Sequence, residues 1–214
     1  MQQRKMHANK LKGDTLQGIK LFFSVCFGVL VFWGCDDQKV ELSDGNKTNT
    51  QALQEAESMD KVSYAGLEDV FLDTKTLAAN HKPMIFIFGK NNCVYCDKLK
   101  DDIKASLELQ NILRDNFATY YINIDYSKIH NLLFDDADSR KIDTLNLARE
   151  YNIRPTPTLI FLDSTGKVFF VYPGYLTPSK FQALLQSAQN YSIIDSRDVQ
   201  NISSDLSAII DSTH

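Results

Sequence analysis

The sequence predicts an α/β fold, a central mixed sheet flanked by helices, with an insertion before the third helix. Three observations predict it. Residues 84–88 and 117–125 are runs of apolar, aromatic and β-branched residues separated by an amphipathic stretch, the pattern of two parallel strands joined by a helix. Residues 159–162 and 168–172 are two further runs separated only by Asp163-Ser164-Thr165-Gly166-Lys167, the pattern of an antiparallel hairpin. Finally, Cys93-Val94-Tyr95-Cys96 stands where the first strand gives way to a helix, so this turn carries two thiols.

In chain order, Leu67, Val70, Phe71, Leu72, Leu77 and Ala78 are spaced for an amphipathic helix over Asp69–Asn80, which His81-Lys82-Pro83 ends. Met84–Phe88 is wholly apolar, as in a strand buried on both faces. After the cysteines, Leu99, Ile103, Leu107 and Leu109 mark a helix, and a bend near Ala105-Ser106 offsets a second piece over Leu109–Arg114. Phe117–Asp125 has the aromatic and β-branched content of a strand. Residues 126–142, with Asp135, Asp136, Asp138, Arg140 and Lys141, read as an irregular charged insertion whose acidic part is a solvated face. Asp143 caps a helix over Thr144–Tyr151. The segment Asn152–Thr158 leads into the hairpin, and Pro173-Gly174-Tyr175 leaves it. Thr177-Pro178 opens a helix running to about Ala188, with Pro in its first turn. Ile193, Ile194, Ile202, Leu206, Ile209 and Ile210 leave two readings for residues 190–214, a further packed helix or a frayed end. Phe86, Phe88, Phe161, Phe169 and Phe170 are expected in the core.

The folded domain is expected over residues 64–190, with 191–214 as a C-terminal extension. Residues 1–20 hold Arg4, Lys5, Lys10, Lys12 and Lys20 against Asp14 alone, and residues 21–34 carry no charge. With a net charge of −4 overall, the remainder is acidic, which argues against a nucleic-acid partner. The apolar run Leu21–Trp33 is shorter than the roughly 20 residues a membrane-spanning helix needs. It matches the apolar core of a signal peptide, with the basic residues on the cytoplasmic side. Gly34-Cys35, followed by Asp36-Asp37, is similar to the cleavage box of bacterial lipoproteins, although Phe32 and Trp33 are bulkier than usual there. That similarity implies lipidation at Cys35 and makes residues 1–35 a signal peptide and anchor. An uncleaved membrane anchor and ordinary signal cleavage are the alternatives, and all three place the rest of the chain outside the cytoplasm. Residues 36–63 are polar and cannot bury enough surface to fold alone, so they read as a tether, with room for a short helix within Thr50–Met59.

From about residue 67 to 188 the chain resembles the thioredoxin superfamily. Four features carry the resemblance: a strand followed by Cys93-x-x-Cys96 at a helix start, Asn123-Ile124-Asp125 closing the next strand, Thr156-Pro157-Thr158 before the hairpin, and Gly174 before the last helix. The insertion and the run Pro173-Gly174-Tyr175-Leu176-Thr177-Pro178 are similar to the periplasmic, secreted branch of thioredoxin-like proteins. The resemblance implies a thioredoxin-like fold, a cis Thr156–Pro157 bond facing the cysteines, and a redox-active Cys93–Cys96 disulfide in place of a metal or organic cofactor. Two positions depart from the pattern. Asn92 stands where thioredoxins usually have Trp, and Ile87 stands where they have a buried acid. Without that acid, water, a lysine such as Lys90, or a different slow step must serve the second cysteine.

The chemistry needs these residue types in this order. The thiolate is the nucleophile in disulfide exchange, and a free cysteine has a pKa of about 8.5. A helix N-terminus offers unpaired N–H groups and partial positive charge, so Cys93 is the attacking sulfur. Cys96, one turn later and more buried, resolves the mixed disulfide. Val94 and Tyr95 contribute to the potential and, with Thr156 and Pro157, to the substrate surface. The loop at Thr156-Pro157 would offer substrate backbone an extended edge and keep metals from the thiols. Blander readings stand beside this one. The cysteines could be half of a zinc site completed by His81 and His130, though neither has ligand spacing, or they could form an inert disulfide. His130 reads as a solvated loop residue. Tyr175 either borders the site or simply packs.

These observations point to a thiol–disulfide oxidoreductase outside the cytoplasm, most simply a reductase. Its partners would be protein thiols and disulfides, for instance apocytochrome thiols or sulfur-metabolism proteins, and a membrane electron donor. It would be held at the membrane by its N-terminal anchor. Isomerase or oxidase is the alternative within the class, since Tyr95 and Thr156 resemble disulfide isomerases, although residues 36–63 hold no dimerisation domain. A non-catalytic binding module is the alternative outside the class.

Overall fold

The computed structural model of the protein describes residues 51–214 apart from 52, 53, 56, 57, 136 and 137. The leader, Cys35 and the tether up to residue 50 lie outside the described residues. Positions 51, 54, 55 and 58–62 are helical. None of the described helices is long and apolar enough to cross a membrane.

Seven strands and five further helices follow: β1 (Thr76–Ala78), β2 (Met84–Gly89), α1 (Val94–Ala105), α2 (Leu107–Asn116), β3 (Ala118–Asn123), β4 (Ile129–Leu133), β5 (Arg140–Asp143), α3 (Thr144–Glu150), β6 (Thr158–Leu162), β7 (Val168–Pro173), α4 (Pro178–Ala188) and α5 (Val199–Ser212). The main sheet has the order β3-β2-β6-β7. β2 runs parallel to β3, with Ile87 opposite Tyr121, and antiparallel to β6, with Ile87 opposite Leu159. β6 and β7 form the expected hairpin. The sheet is therefore mixed, with helices on both faces.

Each central strand is buried at every position because alternate side chains enter different cores. Ile85, Ile87, Tyr121, Leu159 and Phe161 face one layer built by Leu99, Ile103, Leu113, Phe181, Leu185 and Leu206. Met84, Phe86, Phe88, Tyr120, Ile122 and Ile160 face the other, closed by Leu77, Leu132 and Leu147. The bend between α1 and α2 falls at Ser106, which ends the first helix through its N–H to the Ile103 carbonyl. Its hydroxyl accepts from the Leu109 N–H and so caps the second.

Two expectations about the elements change, and the open choice for residues 190–214 is resolved. No helix forms over Asp69–Asn80. Leu67, Val70 and Phe71 enter the core from turns, and Thr76–Ala78 is a strand in which Leu77 is buried and its neighbours are half-exposed. The apolar spacing there combines two short segments with different partners, which imitates a helical period. The insertion at 126–142 is not irregular. β4 pairs with β1 in parallel and with β5 antiparallel, making a second, three-stranded sheet. In β4, His130 and Leu132 point inward while Ile129 and Leu133 point outward, a period of two that the surrounding charges hide. Lastly, residues 199–212 form a helix that packs Ile202, Leu206 and Ile210 on the core.

His130 is consequently a buried residue, not a solvated loop side chain. Its Nδ1 lies 2.7 Å from the Thr74 carbonyl oxygen and its Nε2 2.9 Å from Thr144 Oγ1. Next to it, Lys128 Nζ pairs with Asp60 Oδ2 at 3.0 Å and Asp73 Oδ1 at 3.2 Å, and Thr74 Oγ1 donates to Asp60 Oδ2 at 2.5 Å. Asp60, which the sequence places in the polar tether, is thus buried against the insertion.

Candidate active site

The turn from β2 to α1 is held from β3. The Asn91 N–H donates to Asp125 Oδ2 at 2.8 Å, Asn123 Nδ2 donates to Asn91 Oδ1 at 2.9 Å, and the Ile124 N–H donates to the Gly89 carbonyl at 2.9 Å. The Asp125 N–H closes the set on Asn123 Oδ1 at 3.0 Å. Asn123-Ile124-Asp125 is therefore the clamp that fixes the approach to the cysteines. Asn92 takes φ 54°, a left-handed conformation that Asn tolerates better than most side chains. Gly89 is needed where β2 ends, because a Cβ there would lie 2.0 Å from the Tyr121 hydroxyl.

Cys93 is the N-cap of α1, and its Sγ accepts from the Cys96 N–H at 3.2 Å. The two cysteines are joined by a disulfide, with Cα atoms 5.2 Å apart. Cys93 is 7% exposed and Cys96 fully buried, so the outer sulfur is the one a partner can reach. The Thr156–Pro157 bond is cis. It brings Thr156 against Cys93, with the Thr156 hydroxyl donating to Sγ at 3.4 Å and the Thr156 carbonyl oxygen also 3.4 Å away. The Gly174 N–H donates to the Pro157 carbonyl at 2.8 Å, which ties the start of the last connection to the same loop. Two donors thus converge on Cys93 Sγ and favour a thiolate there, against the opposing Thr156 carbonyl oxygen.

Val94 and Tyr95, between the cysteines, are 78% and 60% exposed. The Tyr95 ring stacks on Tyr175, with centroids 6.0 Å apart and planes 25° apart. The Tyr175 hydroxyl donates to Asp102 Oδ2 at 2.5 Å, and Lys98 Nζ lies 5.1 Å from the Tyr175 ring centroid. Burial and the neighbouring Asp102 carboxylate push the Tyr175 phenol up to about 12, so its proton stays on the oxygen that donates. Tyr175 both borders the site and packs on the core.

Behind the disulfide the departures from the thioredoxin pattern are visible. Ile87 is fully buried between Tyr121 and Leu159, so that position is apolar. Lys90 is exposed on the turn. The lysine turned inward is Lys100, one turn after Cys96. Its Nζ donates to the Ser63 carbonyl at 2.8 Å, pairs with Asp97 at 3.0 Å and lies 5.3 Å from the Tyr121 ring centroid. Its spacing from Cys96 is readable in the sequence; its partners Ser63 and Tyr121 are not. Burial, with Asp97 adding to it, raises the Tyr121 phenol and keeps it protonated.

The structure thus brings Cys93, Val94, Tyr95, Cys96, Thr156 and Pro157 together, and adds Tyr175 and Asp102. His81 pairs with Asp135 at 2.9 Å, and both His130 nitrogens are engaged away from the cysteines. Among the described residues no cluster of three His, Cys, Asp or Glu side chains is placed to hold a metal ion.

A protein-family model, the thioredoxin-like domain, matches residues 70–189. Among solved structures, a thioredoxin-fold protein from Helicobacter pylori is 38% identical, over 71% of this chain and 96% of that one, with a TM-score of 0.63. A thioredoxin from Thermus thermophilus is 17% identical over 52% of this chain and 76% of that one, with a TM-score of 0.41. A disulphide isomerase from Xylella fastidiosa Temecula1 is 17% identical over 79% of this chain and 93% of that one, with a TM-score of 0.33. No curated protein matches the chain.

Proposed function

The chain belongs to the thioredoxin-like family, and from that premise we propose that it is a thiol–disulfide oxidoreductase that reduces protein disulfides outside the cytoplasm. One observation carries the reading: the Cys93–Cys96 disulfide caps α1 with its outer sulfur against the cis Thr156–Pro157 loop. The basic and then apolar N-terminal sequence supports export and a membrane anchor, with Cys35 as the lipidation position.

In the reduced protein the Cys93 thiolate attacks one sulfur of a substrate disulfide. That bond breaks, the first substrate sulfur leaves as a thiolate and takes a proton, and a mixed disulfide joins Cys93 to the second. Cys96, deprotonated, then attacks Cys93 Sγ and releases the second substrate sulfur. Two electrons have passed to the substrate, and Cys93–Cys96 is closed again. The Cys96 N–H and the Thr156 hydroxyl stabilise the Cys93 thiolate at the start and as the leaving group. A membrane dithiol donor restores the reduced pair by the same exchange run from its side.

Insulin reduction in dithiothreitol tests this. The wild-type chain should accelerate insulin precipitation and Cys93→Ser should not; equal activity in the two sinks the oxidoreductase reading. Cys96→Ser should retain partners as mixed disulfides, and an empty trap would favour a binding module. Equilibration with glutathione sets the direction. A potential near the roughly −270 mV of thioredoxin fits a reductase, and one near the roughly −120 mV of the strongest periplasmic oxidants fits the oxidase alternative.

A further inference from the structure

We propose that Tyr95, braced by Tyr175, is a specificity-determining platform that selects protein disulfides in which an aromatic side chain flanks the cysteine; this rests on the oxidoreductase reading above. Tyr95 lies inside the cysteine pair and keeps 60% of its surface in water, next to the exposed Val94. It does not swing free. Its ring stacks on Tyr175 at 6.0 Å, and Tyr175 is immobilised in three ways. Its hydroxyl is held by Asp102 at 2.5 Å, its ring lies near Lys98, and its inner side packs on the core. Tyr175 also follows Gly174, whose N–H is bonded to the Pro157 carbonyl, so the brace and the cis-proline loop form one unit.

A substrate cysteine bonded to Cys93 must place its neighbouring residues over this unit, with Val94 and Tyr95 as the exposed apolar surface on the α1 side. A rigid ring with a free face gains from an aromatic neighbour beyond the area that is buried, and loses little entropy because it is already fixed. A basic neighbour fits less well. The Lys98 ammonium already occupies the Tyr175 ring, and the Asp102 carboxylate is engaged by the Tyr175 hydroxyl, so neither offers a basic residue a new partner. The partner is therefore an extended segment with Phe, Tyr or Trp next to its cysteine.

The test uses single turnover of the reduced full-length chain. The substrates are disulfide-linked homodimers of a short peptide with one cysteine, flanked by Phe, Ala or Arg. Each reaction converts the reduced pair and one peptide disulfide into the Cys93–Cys96 disulfide and two peptide thiols, which are counted by chromatography. The second-order rate constant for the Phe peptide should exceed that for the Ala peptide by about three- to tenfold, the range an aromatic pair supplies, and the Arg peptide should gain nothing over Ala. Tyr95→Ala and Tyr175→Ala should each bring the Phe-to-Ala ratio close to one, while Tyr175→Phe, which keeps the ring, should preserve it. This ratio is taken within one protein, so a general loss of stability or reactivity does not move it. Equal wild-type rates for Phe and Ala peptides, or an unchanged ratio in Tyr95→Ala, overturn the proposal even if insulin is still reduced. Loss of insulin reduction in the wild type overturns the underlying reading, and the proposal with it.

Discussion

His130 shows what one buried titratable side chain does to the whole chain. Burial, assisted by the nearby Lys128 ammonium, lowers its pKa below the ordinary 6.5, while the Thr74 carbonyl and the Asp60 and Asp143 carboxylates oppose the shift without cancelling it. The folded state therefore resists protonation more than the unfolded state does. As pH falls below about 6.5 the unfolded chain takes up a proton that the folded chain does not, and stability declines until the folded-state value is reached. Urea midpoints at pH 7.5 and 5.5 should thus differ more for the wild type than for His130→Gln. Equal pH dependence in the two proteins would mean that other groups set it. The sequence offered only the residue type here. Its burial follows from the position of β4 beneath Thr74, 56 residues away in the chain.

At the scale of elements, the three-stranded sheet packs through Leu77 and Leu132, and an ion pair ties the residue before β4 to the N-terminal helical segment. Lys128 and Asp60 are both almost fully buried, and Asp73 and Thr74 complete the set around them. Their mutual attraction roughly balances the cost of removing both from water, but deletion of one partner leaves a buried charge without compensation. Lys128→Met should cost about 3–5 kcal/mol in urea unfolding. Adding Asp60→Asn should recover part of it, since the two sites are directly coupled. Additive losses would show that the pair does not act as a unit. Hydrogen exchange should locate the damage in β1, β4 and β5, whose strands are only three to five residues long.

For the molecule as a whole, α5 closes one face of the core. It inserts Ile202, Leu206 and Ile210 beside α4 and β7. Each buried aliphatic side chain of this size is worth roughly 1.5–3 kcal/mol, and the total approaches the net stability of about 5–15 kcal/mol typical of a domain. Deleting residues 199–214 should therefore lower the thermal midpoint sharply and uncover Phe169 and Phe170. A near-native midpoint by circular dichroism would make α5 dispensable.

The features legible in the residues alone are those whose information is local. Met84–Gly89 is apolar at every position except its terminal glycine, the cysteine pair follows it one turn later, Pro157 precedes the next apolar run, and a Gly-containing turn joins the hairpin. These patterns specify element type, order and the reactive pair without reference to distant residues. The rest depends on contacts that form only in the folded chain. β1 became a strand because β4 supplies its backbone partners, although its own apolar spacing suggests a helix. Lys128 is buried because Asp60, 68 residues away, neutralises it. Tyr95 gained its brace only when the fold brought Tyr175 to it. In each case the deciding energy is a contact across the chain, and residue type and spacing carry no record of it until the sheet has formed.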